Sequence, residues 1–246
     1  MIYSFMKNTD INNFIKNKYN CPVCGGERFI SSKVLCSELI TDWKLDKTQT
    51  DYIDHQQGYH CADCNANLRS MTLASSIMKY FRFKGLLNEF VSLEGIWQKK
   101  YFVEINESGT LTPYLQKLKN YKLFRYPESD MMNIKQLDNS IDIIVHSDTL
   151  EHIADSTKAL KECHRVLKKN GAMIFTIPII HERLTEKRCN LKKSYHGCYA
   201  SKSEDYVVYT EYGSDFYTEI IKAGFQKISL QTISDLSSIA VTCEKD

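Results

Sequence analysis

Two pairs of cysteines with the spacing Cys-x-x-Cys stand in the first third of this chain. Cys21 and Cys24 lie on one tight turn and Cys61 and Cys64 on another, with residues 25–60 between the pairs. Two such turns bring four thiolates together in the tetrahedral arrangement that zinc prefers. Four cysteine ligands leave no open coordination position, so the sequence predicts a structural zinc site. A redox pair and unliganded core cysteines are the alternatives, although a redox pair would not need a second Cys-x-x-Cys.

The segment around these cysteines has little capacity to form a hydrophobic core of its own. Residues 19–67 are rich in polar side chains and show no regular aliphatic period, so a metal ion would be needed to hold them together. His55, His60 and Cys36 are alternative ligands, but each is better explained as a loop residue. We therefore expect a small zinc ribbon.

Beyond the cysteines, helical and strand patterns alternate along the chain. Strands are predicted at 100–106, 121–126, 141–147, 172–180, 225–231 and 239–244, and helices at 68–81, 112–120, 154–171 and 214–224. The runs at 141–147 and 172–180 are almost continuously apolar, as strands buried on both faces are. This alternation predicts an α/β fold in which helices cover a mostly parallel sheet. We expect a zinc-ribbon module over residues 1–70 and an α/β domain over residues 71–246, with a bridging helix at 68–81.

Composition narrows the range of partners. The 246 residues, 43% of them hydrophobic, suffice for one α/β core and a small appendage. With 32 basic and 30 acidic residues the net charge is only +2, which argues against binding of nucleic acid or acidic membranes by bulk charge. No apolar run reaches the roughly 18–20 residues that a membrane span needs, so we expect no membrane insertion. Nine cysteines, an odd number, suit a reducing compartment, and we expect a cytoplasmic protein.

The stretch "SIDIIVHSDTLEHIADSTKALKECHRVLKKNGAMIFTIP", residues 140–178, resembles the class I S-adenosylmethionine-dependent methyltransferases with a type 11-like domain. The family's strand, "LEH" element, helix and following strand correspond to residues 141–145, 150–152, 159–171 and 175–178. The resemblance implies a Rossmann-like doubly wound sheet, parallel with an antiparallel last strand. It also implies methyl transfer from S-adenosylmethionine.

The same resemblance implies a set of cofactor-binding residues. The family's first strand ends in a glycine-rich loop after an acidic residue, whereas "VEINESGTL" keeps Glu104 and Gly109 but has Asn106 and Ser108 where glycines are usual. Because Asn tolerates left-handed backbone and Ser is small, we expect the loop to take another path around the methionine moiety. A non-catalytic scaffold that has lost the cofactor is the alternative. The expected cofactor contacts are Glu104, Asn106, Gly109, Glu128, Asp130, Met131, His146, Ser147 and Asp148.

Histidines are the natural bases if the methyl acceptor is a hydroxyl group. His152 of the "LEH" element is the first candidate, because it follows a strand whose carboxyl end should face the ligand. A helix-cap or packing role is the alternative for this residue. The loops after the next strand supply two further candidate bases and two candidate substrate contacts, and a third contact lies in "TEYGSDF". These residues are His181 and His196, Arg183 and Tyr195, and Tyr212.

A four-cysteine ribbon ahead of such a domain resembles the arrangement in enzymes that methylate sugars, either nucleotide-linked or on bacterial surface glycans. A small-molecule or glycan acceptor is therefore the leading expectation, with the ribbon forming one wall of the acceptor site. The alternative is an RNA base methyltransferase that grips RNA with the ribbon. The segment between the cysteine pairs is not basic, which argues against a nucleic-acid partner.

Overall fold

The computed structural model describes residues 20–195, 206–233 and 238–246. Its strands, in chain order, are β1 (Phe29–Ser31), β2 (Tyr59–Cys61), β3 (Phe102–Ile105), β4 (Tyr121–Phe124), β5 (Ile141–Ser147), β6 (Leu167–Thr176), β7 (Glu186–Lys187), β8 (Ser194–Tyr195), β9 (Val207–Val208), β10 (Thr210–Glu211), β11 (Lys227–Gln231) and β12 (Ala240–Glu244). Its helices are α1 (Ser37–Asp42), α2 (Lys47–Gly58), α3 (Leu68–Tyr80), α4 (Leu87–Ser92), α5 (Thr112–Leu115), α6 (Ser156–Val166) and α7 (Tyr217–Lys222). Within these ranges no helix combines the length and the apolar character that crossing a bilayer requires.

The central sheet has the strand order β11-β12-β6-β5-β3-β4. Strands β4, β3, β5 and β6 run parallel to one another, whereas β12 runs antiparallel to both β6 and β11. The predicted α/β sheet, parallel with an antiparallel last strand, is thus confirmed. The chain passes from β3 to β4 on one side and later returns to β5 on the other. In open sheets of this kind ligands bind at such a switch point, beyond the carboxyl ends of the strands.

Strand β5 is buried on both faces. Ile144 belongs to the core cluster that includes α6 and α7, whereas Ile143 and Val145 belong to the cluster that includes α3 and α4. Each of these three side chains is at most 1% exposed. This burial accounts for the nearly unbroken apolar run, and it leaves polar groups of the strand to gather at its carboxyl end.

The prediction for strand 141–147 is confirmed residue for residue, whereas several predicted helices are too long. Helical structure covers only Thr112–Leu115 of the helix predicted at 112–120 and Tyr217–Lys222 of the one predicted at 214–224. The bridging helix ends at Tyr80, one residue before its predicted end. The predicted strands outside β5 also differ from the observed ones by a few residues at their ends.

The end of the helix predicted over 154–171 is wrong. Helix α6 stops at Val166, and Leu167 already pairs with Ile141 in the sheet. Because the next pair in register joins Ala172 to Ile143, the residues between Leu167 and Ala172 form an irregular bulge. Asn170, in this bulge, has the left-handed φ of 59°. Lys168, Lys169 and Gly171 are residue types typical of a helix C-terminus, but they belong to a bulged strand.

The cysteine turns pack directly against the helices that cover one face of the sheet. The backbone N–H of Leu87, at the start of α4, donates to the carbonyl oxygen of Pro22 at 2.9 Å. Cys21 and Cys61 are fully buried in the same hydrophobic cluster as Phe90 and Ile143. The ribbon therefore shares its core with the α/β layers, and the proposed division into residues 1–70 and 71–246 remains a prediction.

Candidate active site and metal centre

Four cysteines form a compact cluster at one end of the ribbon. The sulfur atoms of Cys21, Cys24, Cys61 and Cys64 all lie within 4.8 Å of one another. The Sγ atoms of Cys21 and Cys64 are 3.6 Å apart, as are those of Cys24 and Cys61. Four thiol groups at this separation match the donor set of a tetrahedral metal site with no open position.

The two cysteine turns have the same backbone design. The residue after each second cysteine is left-handed, with φ of 85° at Gly25 and 58° at Asn65, and its N–H donates to the carbonyl oxygen of the first cysteine. In the first turn, the N–H of Gly26 also points at the Cys24 sulfur, at 3.4 Å. Positive φ favours glycine and asparagine, so the sequence supplies at both turns a residue that allows the chain to wrap around a metal.

The loop after β3 adopts a left-handed conformation at the two positions expected to contact the cofactor. Asn106 has φ of 53° and Gly109 has φ of 58°. The N–H of Asn106 donates to the carbonyl oxygen of Phe124 at 2.8 Å, and its side-chain oxygen accepts from the N–H of Tyr126 at 3.1 Å. Asparagine thus replaces a glycine by tolerating positive φ while its side chain ties the β3 loop to the β4 loop.

Glu104 stabilises this loop from inside. Its carboxylate is only 1% exposed and accepts hydrogen bonds from the Ser108 N–H at 2.6 Å, from the Thr112 hydroxyl at 2.7 Å and from the Tyr121 hydroxyl. These three bonds satisfy the buried Glu104 carboxylate. Its expected contact with the cofactor remains a prediction.

The three residues predicted after β4 occupy different surroundings. Glu128 lines an open groove of about 420 Å³ along the edge strand β4, together with Phe124 and Arg125. Asp130 accepts a hydrogen bond from the N–H of Met132 at 2.8 Å. Met131 is 4% exposed and packs in the core cluster beside α6. The groove therefore contains one of the three predicted residues.

His146 and Ser147, near the end of β5, face opposite sides of the strand. The His146 ring is fully buried and stacks on Phe175, with the ring centroids 4.6 Å apart. Burial lowers the pKa of His146 to about 3, so the ring is neutral at physiological pH. Neither of its nitrogens has a hydrogen-bond partner among the described residues. Ser147 pairs instead with the Thr176 hydroxyl of β6 at 2.8 Å.

Asp148 turns the chain at the end of β5 and pairs with a cation that the sequence analysis did not single out. Its φ is 44°, and its carboxylate forms an ion pair with the guanidinium of Arg69 from α3. The two side chains are 12% and 17% exposed. Burial lowers the pKa of Arg69 to about 10, and the neighbouring Glu151 opposes this shift. A basic residue at a helix start usually lies in solvent, so no sequence pattern distinguished Arg69.

His152 lies close to a buried carboxyl group and has a defined tautomer. Its Nε2 is 3.7 Å from the Glu151 carboxyl, which has no exposed surface. Its Nδ1 lies 2.9 Å from the carbonyl oxygen of Val207. A carbonyl only accepts hydrogen bonds, so Nδ1 carries the proton and Nε2 of the neutral ring carries the lone pair.

The electrostatic surroundings keep His152 in its neutral form. Burial lowers the pKa of His152, and the Val207 carbonyl partly opposes this shift. Burial also raises the pKa of Glu151 to about 8, while Arg69 acts in the opposite direction. The unprotonated Nε2 is therefore able to accept a proton at neutral pH.

The loops after β6 meet the segment that separates the cysteine pairs. The His181 ring lies 5.1 Å from the Tyr52 ring of α2, and the His181 carbonyl oxygen accepts from the Gln49 amide at 3.2 Å. The guanidinium of Arg183 donates to the carbonyl oxygens of Trp43 and Lys44, at 2.5 and 2.9 Å. Two residues predicted to serve catalysis and substrate binding thus contact the inter-cysteine segment.

The other predicted loop residues lie elsewhere. Tyr195 forms β8 and pairs with Val207. Tyr212 is 2% exposed, and its hydroxyl donates to Glu219 at 3.2 Å. His196 falls outside the residues that the structure describes. Whether these residues touch an acceptor stays a prediction.

A buried ionic cluster and an apolar cluster hold the inter-cysteine segment against these loops. Leu39, Trp43 and Ile53 pack with Ile180 and Val208. The Trp43 indole N–H also donates to the Ser194 hydroxyl at 2.8 Å. Arg188, whose side chain is 4% exposed, pairs with the buried Glu211 and with Asp42 at 3.1 Å. The segment between the cysteine pairs thus packs over the loops that follow β6, here called the β6 loops.

One known family model matches part of the α/β region. Residues 96–175 match the family model described as a methyltransferase domain, which spans β3 to most of β6. The region from β3 to β6 is therefore similar to methyltransferase domains, as the resemblance implied. The match leaves out the cysteine turns, the inter-cysteine segment and the loops after β6.

Two solved structures of S-adenosylmethionine-dependent methyltransferases are similar to this chain at low sequence identity. One, from Thermotoga maritima, is 16% identical with a TM-score of 0.40, covering 70% of this chain and 94% of that one. The other, from Aquifex aeolicus, is 13% identical with a TM-score of 0.41, covering 70% and 88%. A search of curated proteins found no match to this chain.

Replacing Arg188 by Met should lower the free energy of unfolding by about 3–5 kcal/mol, because the buried Glu211 carboxylate would lose its main counter-charge. The matched control is Arg28→Met, since Arg28 is 78% exposed in its pair with Asp63 and should contribute less than about 1 kcal/mol. Urea denaturation of both variants gives the two values. Equal losses would contradict a buried ionic contact at Arg188.

Proposed function

We propose that this protein is an active methyltransferase that moves the methyl group of S-adenosylmethionine to a hydroxyl of a small-molecule or sugar acceptor. The acceptor class is a nucleotide-linked sugar or a surface glycan. The observation that carries the proposal is His152, which follows β5 of the matched domain with its Nδ1 proton fixed by Val207 and its Nε2 free of a proton. A base with this protonation state suits an acceptor that must lose a proton.

The residues at the strand ends would hold the cofactor. A Cβ atom built on Gly109 would meet no atom within 4 Å, so there is open space beside the loop after β3. Asn106 and Gly109 would lie along the methionine moiety. Glu128 would lie at the ribose and Asp130 near the adenine. Asp148, at the end of β5, would also contact the cofactor. When bound, S-adenosylmethionine supplies an electrophilic methyl group that the acceptor attacks in line.

The chain's own contribution is to orient the acceptor and remove its proton. Nε2 of His152 takes the hydroxyl proton as the acceptor oxygen becomes a nucleophile, while the Val207 carbonyl keeps the ring in the required tautomer. The cover formed by α1, α2 and the β6 loops would shield the acceptor from water. His181 and Arg183 would then reach the acceptor from this cover.

Charge in the inter-cysteine segment favours a neutral polyhydroxyl acceptor over RNA. Residues 32–58 contain three lysines against five acidic residues, a net charge of −2. The lysines are Lys33, Lys44 and Lys47, and the acids are Glu38, Asp42, Asp46, Asp51 and Asp54. Binding of a phosphate backbone requires clustered cations, which this segment lacks. We therefore favour a sugar hydroxyl over an RNA base.

We expect one zinc ion per chain at the four cysteines. Cys64→Ser should abolish stoichiometric zinc and destabilise the fold, because a structural zinc site contributes on the order of 10 kcal/mol. Cys189→Ser is the matched control, since Cys189 is an exposed thiol outside the cluster and should leave the zinc content unchanged. Metal analysis by inductively coupled plasma mass spectrometry reads out both variants. Full zinc content in Cys64→Ser would refute this ligand set.

Calorimetric titration of the zinc-loaded protein with S-adenosylmethionine and S-adenosylhomocysteine tests the cofactor site. Saturable binding at one site is expected, because Asn106 provides the left-handed backbone that glycine provides in related loops. If the folded protein binds neither ligand, the hypothesis of an active enzyme is rejected and that of a non-catalytic scaffold remains.

Replacing His152 by Gln should lower turnover by about 10²-fold or more, with unchanged affinity for S-adenosylhomocysteine. Turnover would be followed as S-adenosylhomocysteine release with an acceptor found by screening sugars and nucleotide sugars. The base works when deprotonated, and burial lowers its pKa, so wild-type activity should persist below the ordinary histidine pKa of 6.5 and fall only at lower pH. His164→Gln, on α6, is the control and should keep its turnover. Wild-type turnover in His152→Gln would exclude this residue as the base.

A further inference from the structure

Arg69 reaches the catalytic edge of the sheet from the ribbon side of the molecule. It is the second residue of α3, and α3 starts directly after the second cysteine turn. The Asn67 side chain caps the helix by accepting from the Ser70 N–H at 2.9 Å. Within the turn, the N–H of Cys61 donates to the carbonyl oxygen of Ala66 at 2.9 Å. Hydrogen bonds thus order both the second cysteine turn and the start of the helix that follows it and carries Arg69.

At the other end of its side chain, Arg69 holds the residue that terminates β5. Asp148 has left-handed φ, a conformation that costs free energy in residues other than glycine. The ion pair with Arg69 is mostly buried and offsets part of this cost. Asp148 is followed by the short helix Leu150–His152, so its position also sets the start of the segment that contains His152.

Both members of the pair keep unused hydrogen-bonding capacity. The Nε of Arg69 and the Oδ1 of Asp148 are inaccessible to solvent and have no hydrogen-bond partner among the described residues. Buried polar atoms in proteins are almost always paired with protein, water or ligand. The pair therefore has one donor and one acceptor at the carboxyl end of β5 that no described residue satisfies.

We propose that Arg69 is a positioning residue of the methyltransferase site, which holds Asp148 at the end of β5 and is itself held by the metal-bound cysteine turn. The proposal rests on the proposed function, because Asp148 is one of the residues expected to contact S-adenosylmethionine. It gives the ribbon a role in cofactor binding: the metal orders the turn, the turn orders the start of α3, and α3 presents Arg69 to Asp148.

Calorimetric titration with S-adenosylhomocysteine of the zinc-loaded, full-length chain tests this role. Arg69→Met should raise the Kd about tenfold or more, and Arg69→Lys should restore part of the affinity, because lysine keeps the charge but not the planar fork. Combining Arg69→Met with Asp148→Asn should weaken binding no further than the more affected single variant. Arg28→Met removes a cation from the ribbon surface and should bind like wild type. Circular dichroism and zinc content verify that each variant is folded.

The coupling to the cysteine turn has its own variant. Asn67→Ala removes the cap between the turn and α3 but keeps all four cysteines and Arg69, so it should raise the Kd in the same direction as Arg69→Met by a smaller factor. Wild-type affinity in Asn67→Ala would show that the role of Arg69 in cofactor binding does not depend on the cysteine turn.

The outcomes separate this inference from the proposed function. Failure of the wild-type chain to bind S-adenosylhomocysteine would overturn the proposed function itself. Wild-type binding together with unchanged affinity in folded Arg69→Met would overturn only the role of Arg69. If Arg69→Met does not fold, Arg69→Lys decides, since the shorter cation should still raise the Kd about threefold or more and wild-type affinity would refute the proposal.

Discussion

Burial of β5 on both faces is the constraint on which the rest of the structure depends. Ile143 and Val145 face the α3 and α4 layer, and Ile144 faces the α6 and α7 layer, so charged groups have no place along the strand's central residues. Polar side chains lie instead where the strand ends, at Asp148 and in the short helix that follows it. The position of the candidate site is therefore a consequence of how the sheet is covered.

The cysteine ribbon is integrated with this site at two levels. Its turns pack in the same hydrophobic cluster as α4 and β5, and its second turn leads directly into the helix that carries Arg69. The segment between the turns reaches over the β6 loops, where its Asp42 pairs with the buried Arg188. A metal that orders the ribbon would thus order both the end of β5 and the loops after β6.

The accuracy of the sequence predictions follows from the type of signal. The apolar run of β5 is compatible only with a strand that is buried on both faces. The lysines and the glycine after Val166, by contrast, are equally typical of a helix C-terminus and of a strand bulge. Only pairing of Leu167 with Ile141 decided between them. The cysteine cluster was predictable because paired Cys-x-x-Cys turns are specific in sequence. Arg69 was not, since its importance arises from a partner 79 positions away along the chain.

The sequence by itself determined the alternation of strands and helices, the four-cysteine cluster and the resemblance to methyltransferases, because each depends on local periodicity or on motifs of fixed spacing. Only the tertiary structure decided which side chains meet. It placed His181 and Arg183 against the inter-cysteine segment, fixed the His152 tautomer through Val207, and brought Arg69 to Asp148. The physical reason is that ion pairs and hydrogen bonds between distant residues are selected by the packing of whole layers, which leaves no local trace in the sequence.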